Sequence, residues 1–128
     1  MKPPVERIKV SQRSRDTLVT LKRRTGIEHW NVLCRWAFLD SLANPNKPVT
    51  AAHAQDSNVE MSWDVFAGES NDLLLATFAL RAKKDGVSQN SSELIAYFKS
   101  HLERGINQLQ SAKDLKNLFE RVISCKRG

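Results

Sequence analysis

Cysteines and long apolar runs are scarce in this sequence. Cys34 and Cys125 are the only thiols among 128 residues and show no CxxC spacing, which excludes a disulfide-rich secreted scaffold and a zinc site built on such pairs. Apolar runs such as residues 73–76 fall far short of the roughly 20 residues that a membrane-spanning helix needs. Residues 1–6 carry one lysine with no apolar segment behind it, unlike a secretory signal. We therefore expect a cytoplasmic protein with reduced thiols.

Basic residues exceed acidic ones, and the excess is concentrated at the two ends of the chain. The formal net charge is +6 and the sequence pI is about 9.6. Residues 1–36 contain nine Lys/Arg and three Asp/Glu, residues 37–98 contain four and eight, and residues 99–128 contain seven and three. This segregation indicates one surface suited to a polyanion such as nucleic acid and another that is not.

The hydrophobic pattern predicts a mainly helical single domain with one short N-terminal strand. In residues 5–10, Ile8 and Val10 alternate with Arg7 and Lys9 at the period of a strand, which makes one face apolar and the other cationic. About five helices are predicted near residues 12–24, 28–43, 71–84, 91–110 and 113–124.

Capping and turn residues set the predicted boundaries. Ser11 is placed to cap the first helix and Gly26 to end it. Residues 44–60, which begin with two prolines close together, are predicted to be an irregular connection, and residues 61–69 fit either a short strand or one helical turn.

A cationic strand followed by two helices joined at a glycine is typical of ribbon-helix-helix DNA-binding proteins, in which two subunits pair their strands in the major groove. On this interpretation residues 1–43 form the DNA-binding part of the 1–128 domain and residues 61–124 the helical remainder. The predicted DNA contacts are Arg7, Lys9, Arg13, Arg15, Lys22, Arg23, Arg24 and Arg35. The alternative for the Lys22-Arg23-Arg24 run is that it complements the dipole at a helix end and stays solvated.

Three stretches of the sequence resemble a known family. They are the segment from Leu18 to Ile27 with Trp30–Ala37 and Ser41-Leu42, the segment Asn58–Glu69, and the segment His101–Ile106. Together these stretches resemble the DndE family of DNA sulfur modification proteins. The resemblance implies a role in DNA phosphorothioation beside other proteins of that system, DNA binding without catalysis, and a homo-oligomer that is a tetramer.

Other candidate sites have simpler interpretations. Cys34 falls on the apolar face of the second helix, which favours a core position over a persulfide acceptor. The carboxylates Glu60, Asp64, Glu69 and Asp72 match no Mg²⁺ motif and fit an acidic surface. The three histidines lack metal-ligand spacing and are interpreted as surface or helix-end residues. We predict no metal and no cofactor.

Aromatic spacing favours packing over base stacking. The tryptophans and phenylalanines between Trp30 and Phe78 recur at helical intervals. The second helix is apolar on two faces, so it lies at the centre of the core or is shared with another subunit.

Three functions remain open at this point. The first is an oligomeric, non-enzymatic DNA-binding component that contacts double-stranded DNA, including nicked DNA, through its backbone. The second is an assembly adaptor whose basic ends bind acidic partner proteins of the modification complex. The third is an enzyme that uses Cys34 or the acidic cluster.

Overall fold

The N-terminal strand pairs with a second strand of the same chain. In the computed structural model, which describes residues 2–49, 55–88 and 90–120, strand β1 (Arg7–Ser11) is antiparallel to β2 (Asp56–Ser62). Ile8 lies opposite Met61 and Lys9 opposite Glu60. The prediction of an irregular connection was therefore wrong for residues 56–60, whose backbone is paired with β1.

The ribbon is thus made within one chain. In ribbon-helix-helix proteins the two strands come from two subunits, whereas here both belong to one chain. Buried Val59 and Met61 alternate with exposed Glu60, so β2 places its apolar face on the same core as Ile8 and Val10.

Helices make up most of the described residues, and the predicted class is confirmed. The helices are α1 (Gln12–Thr25), α2 (Trp30–Ala43), α3 (Trp63–Ala67), α4 (Asn71–Lys84) and α5 (Ser91–Leu109), with a 3₁₀ turn at Gly68–Ser70 between α3 and α4. Residues 115–120 are also helical, and the rest of the helix predicted over 113–124 lies outside the described residues. No helix in the described ranges combines the length and apolarity needed to span a bilayer.

Local signals explain the ends of α1. The Ser11 hydroxyl accepts a hydrogen bond from the Ser14 backbone N–H, which satisfies one of the free donors of the first turn. Gly26 ends the helix in the left-handed conformation with φ of 77°, a conformation that costs glycine little. Both predicted boundary residues therefore act as expected.

Helix α2 lies at the centre of the core. Phe38 is fully buried and its ring centroid is 5.0 Å from that of Phe98 and 5.6 Å from that of Phe66. Helix α5 packs directly on α2 at Gly105, where an added Cβ would lie 1.8 Å from the Ala37 carbonyl oxygen. The phenylalanines and Trp63 are confirmed as packing residues, while Trp36 is half-buried, in edge contact with Phe119.

Candidate nucleic-acid interface

The outer face of the ribbon carries Arg7 and Lys9, as the strand pattern predicted. Their side chains are 58% and 51% exposed, whereas Ile8 and Val10 are buried. Glu60 on β2 sits between the two cations: its Oε1 pairs with Arg7 Nε, and its Oε2 lies 3.9 Å from Lys9 Nζ. One carboxylate therefore offsets part of the charge of both strand cations. Sequence reasoning missed this partner because it placed Glu60 outside any strand.

The outer side of α1 carries cations with no such partner. Arg13 and Arg23 are exposed, and their guanidinium groups make no hydrogen bond or ion pair with any other described residue. Ten residues of helix separate the two by about 15 Å along the axis. Arg15 is partly exposed, and its Nη1 lies 3.6 Å from Asp16 Oδ1. Arg13 and Arg23 are therefore the cations most available to an incoming phosphate.

Lys22 and Arg24, at the end of α1, bind within the protein. The Lys22 Nζ lies 4.1 Å from the centroid of the Trp30 ring, a cation–π contact that joins α1 to α2. The Arg24 Nη1 donates to the carbonyl oxygens of Gln110 at 3.1 Å and Ala112 at 3.4 Å. These carbonyls follow α5, so Arg24 ties the end of that helix to α1.

Arg35 also donates to backbone carbonyls. Its Nε lies 2.8 Å from the Phe66 carbonyl oxygen and its Nη2 lies 3.4 Å from that of Val65. The guanidinium packs so closely on Gly68 that an added Cβ there would lie 2.7 Å from Nη2. Arg35 therefore satisfies carbonyls at the end of the short helix α3. To contact DNA as predicted, Arg35 would have to bind a phosphate while it keeps its hydrogen bonds to these carbonyls.

Glu103 fixes the corner between β1 and α1. Its carboxylate accepts hydrogen bonds from the hydroxyls of Ser11 and Ser14, the latter at 2.7 Å. A carboxylate near the first turn of a helix is also favoured by the helix dipole. The corner therefore fixes the positions of Arg7 and Lys9 relative to the start of α1. The sequence contained no signal for this contact, because Glu103 lies about ninety residues away.

Cys34 is confirmed as a core residue. It is fully buried, and burial, with a smaller contribution from the negative charge of Glu103, raises its pKa to about 12. A thiol with that pKa is protonated at neutral pH, whereas the nucleophilic form of cysteine is the thiolate.

A second arginine-rich region lies between α2, α4 and α5. Arg81 donates to the carbonyl oxygens of Leu42 at 2.7 Å and Asn46 at 2.8 Å, and its Nε pairs with Asp85 at 3.0 Å. Arg104 donates to the Asn46 carbonyl and to both the carbonyl and the hydroxyl oxygen of Ser41. The two arginines together hold the end of α2 and the turn after it.

Titratable groups in this region are strongly perturbed. Burial opposes the ionisation of Asp85, but the hydrogen bond from the Tyr97 hydroxyl and the charge of Arg81 outweigh it and lower the pKa of Asp85. Burial and the bond to Asp85 raise the pKa of Tyr97. Burial and the adjacent Arg81 lower the pKa of Arg104. We refer to Ser41, Arg81, Asp85, Tyr97, His101 and Arg104 as the buried polar network.

His101 is a member of this network, and its prediction as a surface or helix-end residue was wrong. It is 0% exposed, and its Nδ1 lies 2.8 Å from the Ser41 hydroxyl. Arg104 Nε donates to that same hydroxyl oxygen, and the other ring nitrogen of His101, Nε2, is buried with no hydrogen-bond partner among the described residues. Burial, Arg104 and Arg81 lower the pKa of His101 to about 3. Of the other histidines, His29 is exposed and His53 lies outside the described residues.

The carboxylates Asp64, Glu69 and Asp72 are exposed, as predicted for an acidic surface. Within the described ranges, no three His, Cys, Asp or Glu side chains come close enough together to hold a metal ion.

The span from β1 to the residues after α5 matches one protein family. The sequence profile described as DNA sulphur modification protein DndE covers residues 7–117 of the 128. The chain belongs to the DndE family. The resemblance seen in the sequence is thereby confirmed, and DndE membership implies a part in DNA phosphorothioation. All eight cations predicted to contact DNA lie within the part that matches DndE. No curated protein matches the chain at a significant level.

Proposed function

We propose that this chain is a non-enzymatic, DNA-binding component of a phosphorothioation system. On this proposal it works as an oligomer in the cytoplasm, beside the other proteins of the system, and holds double-stranded DNA by its backbone, including at nicks. The observation that supports it best is the run of cations reaching solvent from β1 and α1, namely Arg7, Lys9, Arg13, Arg15 and Arg23.

Phosphate contact fits these side chains better than base reading. Arg13 and Arg23 have free guanidinium groups on positions about 15 Å apart along the axis of α1, a spacing that allows each to contact a different phosphate. Arg7, the ribbon arginine best placed for a groove, already shares the Glu60 carboxylate with Lys9. Bidentate recognition of a guanine edge needs two guanidinium N–H groups aligned with the base, and the pairing of Arg7 Nε with Glu60 orients that guanidinium toward the carboxylate. We therefore expect weak sequence preference.

Of the eight residues predicted from the sequence, the proposal gives the largest share to Arg13 and Arg23. Arg7, Lys9 and Arg15 contribute through charges that a carboxylate partly offsets. Lys22, Arg24 and Arg35 contribute least, because each already binds a ring or carbonyls of the same chain. An oligomer would present several such surfaces to one duplex and raise the overall affinity by avidity.

The test is a binding titration of the full chain with labelled DNA by fluorescence anisotropy. The probes are an intact duplex, the same duplex with one nick, and its single strand, each measured from 50 to 300 mM salt. We expect the logarithm of the affinity for the duplexes to fall linearly with the logarithm of salt, by about 0.9 for every phosphate contacted. Two or more contacts per chain would give a slope steeper than about −1.8.

Two results would overturn the proposal. Absence of duplex binding at 50 mM salt would leave the adaptor function, in which the basic ends bind an acidic partner protein. Affinity independent of salt would show that the exposed cations do not carry the binding. Equal affinity for the intact and nicked duplexes would show that the protein does not prefer nicks, and the rest of the proposed function would stand.

A further inference from the structure

The outer face of α4 exposes two leucines to water. Leu73 is 65% exposed and Leu80 is 71% exposed. They are seven residues apart, which is two helical turns, so both point from the same face with Ala76 and Thr77 between them. The other face of α4 packs into the core through Leu74 and Phe78. Contiguous apolar stripes of this kind on a surface helix mark protein interfaces.

Charges of opposite sign flank this stripe. Glu69 and Asp72 are exposed at the start of α4, and Lys83 and Lys84 are exposed at its end. None of the four forms an ion pair with another described residue. The stripe therefore has a negative end and a positive end, with apolar residues between them.

We propose that this face binds the same face of a second copy of the chain, with the two α4 helices antiparallel about a two-fold axis. Leu73 then packs against the partner's Leu80, and Glu69 and Asp72 face the partner's Lys83 and Lys84 at both ends. A parallel pair would place like charges together at each end. The charge pattern therefore selects the antiparallel arrangement, which also aligns the two helix dipoles favourably.

Small residues occupy the crossing point of such a pair. Matching Leu73 to the partner's Leu80 brings Ala76 opposite the partner's Thr77, so the shortest side chains of the stripe meet near the axis. Short side chains there allow helix axes to approach to about 8 Å. Leu73 and Leu80 of the two helices then fill the space on either side of the two-fold axis.

The pairing buries the stripe and the charges that flank it. The cavity of about 430 Å³ lined by Leu75, Phe78 and Ala82 lies on the other side of α4 and is not part of the interface. Because one helix from each side makes a small interface, we expect weak association that depends on protein concentration.

This inference rests on the oligomer included in the proposed function and supplies its interface. It does not involve β1 or α1, and α4 makes no substantial contact with α1. Self-association is measured without DNA, so it can fail while DNA binding succeeds, and the reverse also holds.

The first test is sedimentation velocity of the full chain from 1 to 200 μM. We expect a concentration-dependent increase in mass that Leu80→Glu abolishes. The matched control is Val19→Glu, which places the same charge on an exposed apolar residue of α1, and it should leave the association unchanged. A wild-type chain that stays monomeric, or an assembly that persists in Leu80→Glu, would overturn the proposal.

The second test uses charge reversal. The variants Glu69→Lys/Asp72→Lys and Lys83→Glu/Lys84→Glu should each associate at least tenfold more weakly, because each pairs like charges at both ends. An equimolar mixture of the two variants should recover association as a heterodimer with complementary ends. Failure of the mixture to recover would show that these charges do not meet.

The third test fixes the direction of the helices by disulfide trapping in a Cys125→Ser background, with oxidised glutathione as the oxidant. In an antiparallel pair Thr77→Cys lies near the axis and should cross-link to its own copy. Leu73→Cys should not, because its two copies are about 10 Å apart along the axis, beyond the reach of a disulfide. Efficient cross-linking of Leu73→Cys with none of Thr77→Cys would contradict the arrangement.

Discussion

The arginines of β1 and α1 and the arginines of the buried polar network share one chemistry but have opposite surroundings. Arg13 and Arg23 extend into water from α1 without a partner among the described residues. Arg81 is 9% exposed and bonded to one carboxylate and two carbonyls, and Arg104 makes three bonds in the same region. An exposed guanidinium adds little to stability, whereas a buried one is retained only because every donor that faces the interior has a partner.

This difference shows that the net charge of the chain does not tell how many of its cations are free to contact DNA. Two of the eight predicted contact residues, Arg24 and Arg35, resemble the buried group in that they donate to carbonyls of their own chain. Their charge contributes to the field around the protein, but part of each guanidinium is already bonded to the chain, Nη1 in Arg24 and Nε with Nη2 in Arg35. Removing them should disturb the fold, while removing Arg13 and Arg23 should disturb only binding.

The largest expected effect is on stability, from Arg81→Ala. It leaves the Leu42 and Asn46 carbonyls and the Asp85 carboxylate without their partner, and breaking a buried pair in this way costs about 3–5 kcal/mol. Urea denaturation of the variant beside Arg23→Ala provides the measurement and its control, since Arg23→Ala should stay within about 0.5 kcal/mol of wild type. Equal losses of unfolding free energy in Arg81→Ala and Arg23→Ala would show that the buried and the exposed arginines do not differ in their contribution to stability.

The next effect is a loss of stability in acid caused by His101. The folded protein holds His101 neutral down to a pKa of about 3, whereas the unfolded chain takes up a proton near the ordinary value of 6.5. The unfolded state therefore binds more protons between these values, and the free energy of unfolding falls as the pH falls, by up to about 1.4 kcal/mol per pH unit from this residue.

Urea titrations at pH 7.5, 6.0 and 4.8 measure this dependence. His101→Asn, whose amide can hydrogen-bond with the Ser41 hydroxyl in either direction, should flatten it between pH 6.5 and 4.8. His29→Asn removes an exposed histidine and should leave the slope as in wild type. An unchanged slope in His101→Asn would show that the imidazole is not held neutral.

On the exposed side, Arg13→Glu/Arg23→Glu should weaken duplex binding about tenfold or more at 100 mM salt. It should also reduce the magnitude of the salt slope by about 1.8, because two phosphate contacts are lost. Lys99→Glu/Lys116→Glu changes the net charge equally at exposed lysines elsewhere and serves as the control. If both pairs of reversals had the same effect, binding would follow overall charge and not this surface.

The smallest expected effect is a gain of affinity from Glu60→Gln. Removing the carboxylate frees Arg7 and Lys9 for phosphate, and since the three side chains are exposed we expect a two- to fivefold increase, which corresponds to less than about 1 kcal/mol. Asp64→Gln removes an exposed carboxylate from α3 and should have no such effect. A loss of affinity in Glu60→Gln would mean that the ribbon does not face DNA.

Much of the fold was predictable because its signals are local. The alternation of Ile8 and Val10, the cap at Ser11 and the turn at Gly26 each depend on a few neighbouring residues, and the structure confirms all of them. Strand β2 was missed because its first residues are polar and follow two prolines, so that only pairing with β1 reveals the strand. His101 was misplaced because a histidine on a helix has no local sign of burial.

The candidate surface was predictable only in part. Regional charge located the basic segment, and the family match covers it, yet which of its cations stay free depends on residues far along the chain. Glu60 lies 53 residues from Arg7, Phe66 lies 31 residues from Arg35, and Gln110 lies 86 residues from Arg24. No spacing rule within one helix or strand reaches that far.

The sequence by itself determined the helix and strand boundaries set by local caps and turns, the segregation of charge, and membership of the DndE family. The tertiary structure alone decided that the ribbon closes within one chain, that Arg24, Arg35, Arg81 and Arg104 donate to groups of their own chain, and that the leucine face of α4 is left uncovered. The physical reason is that a helix or strand forms from interactions between near neighbours, whereas the partner of a long cationic side chain is set by which distant segments pack against it.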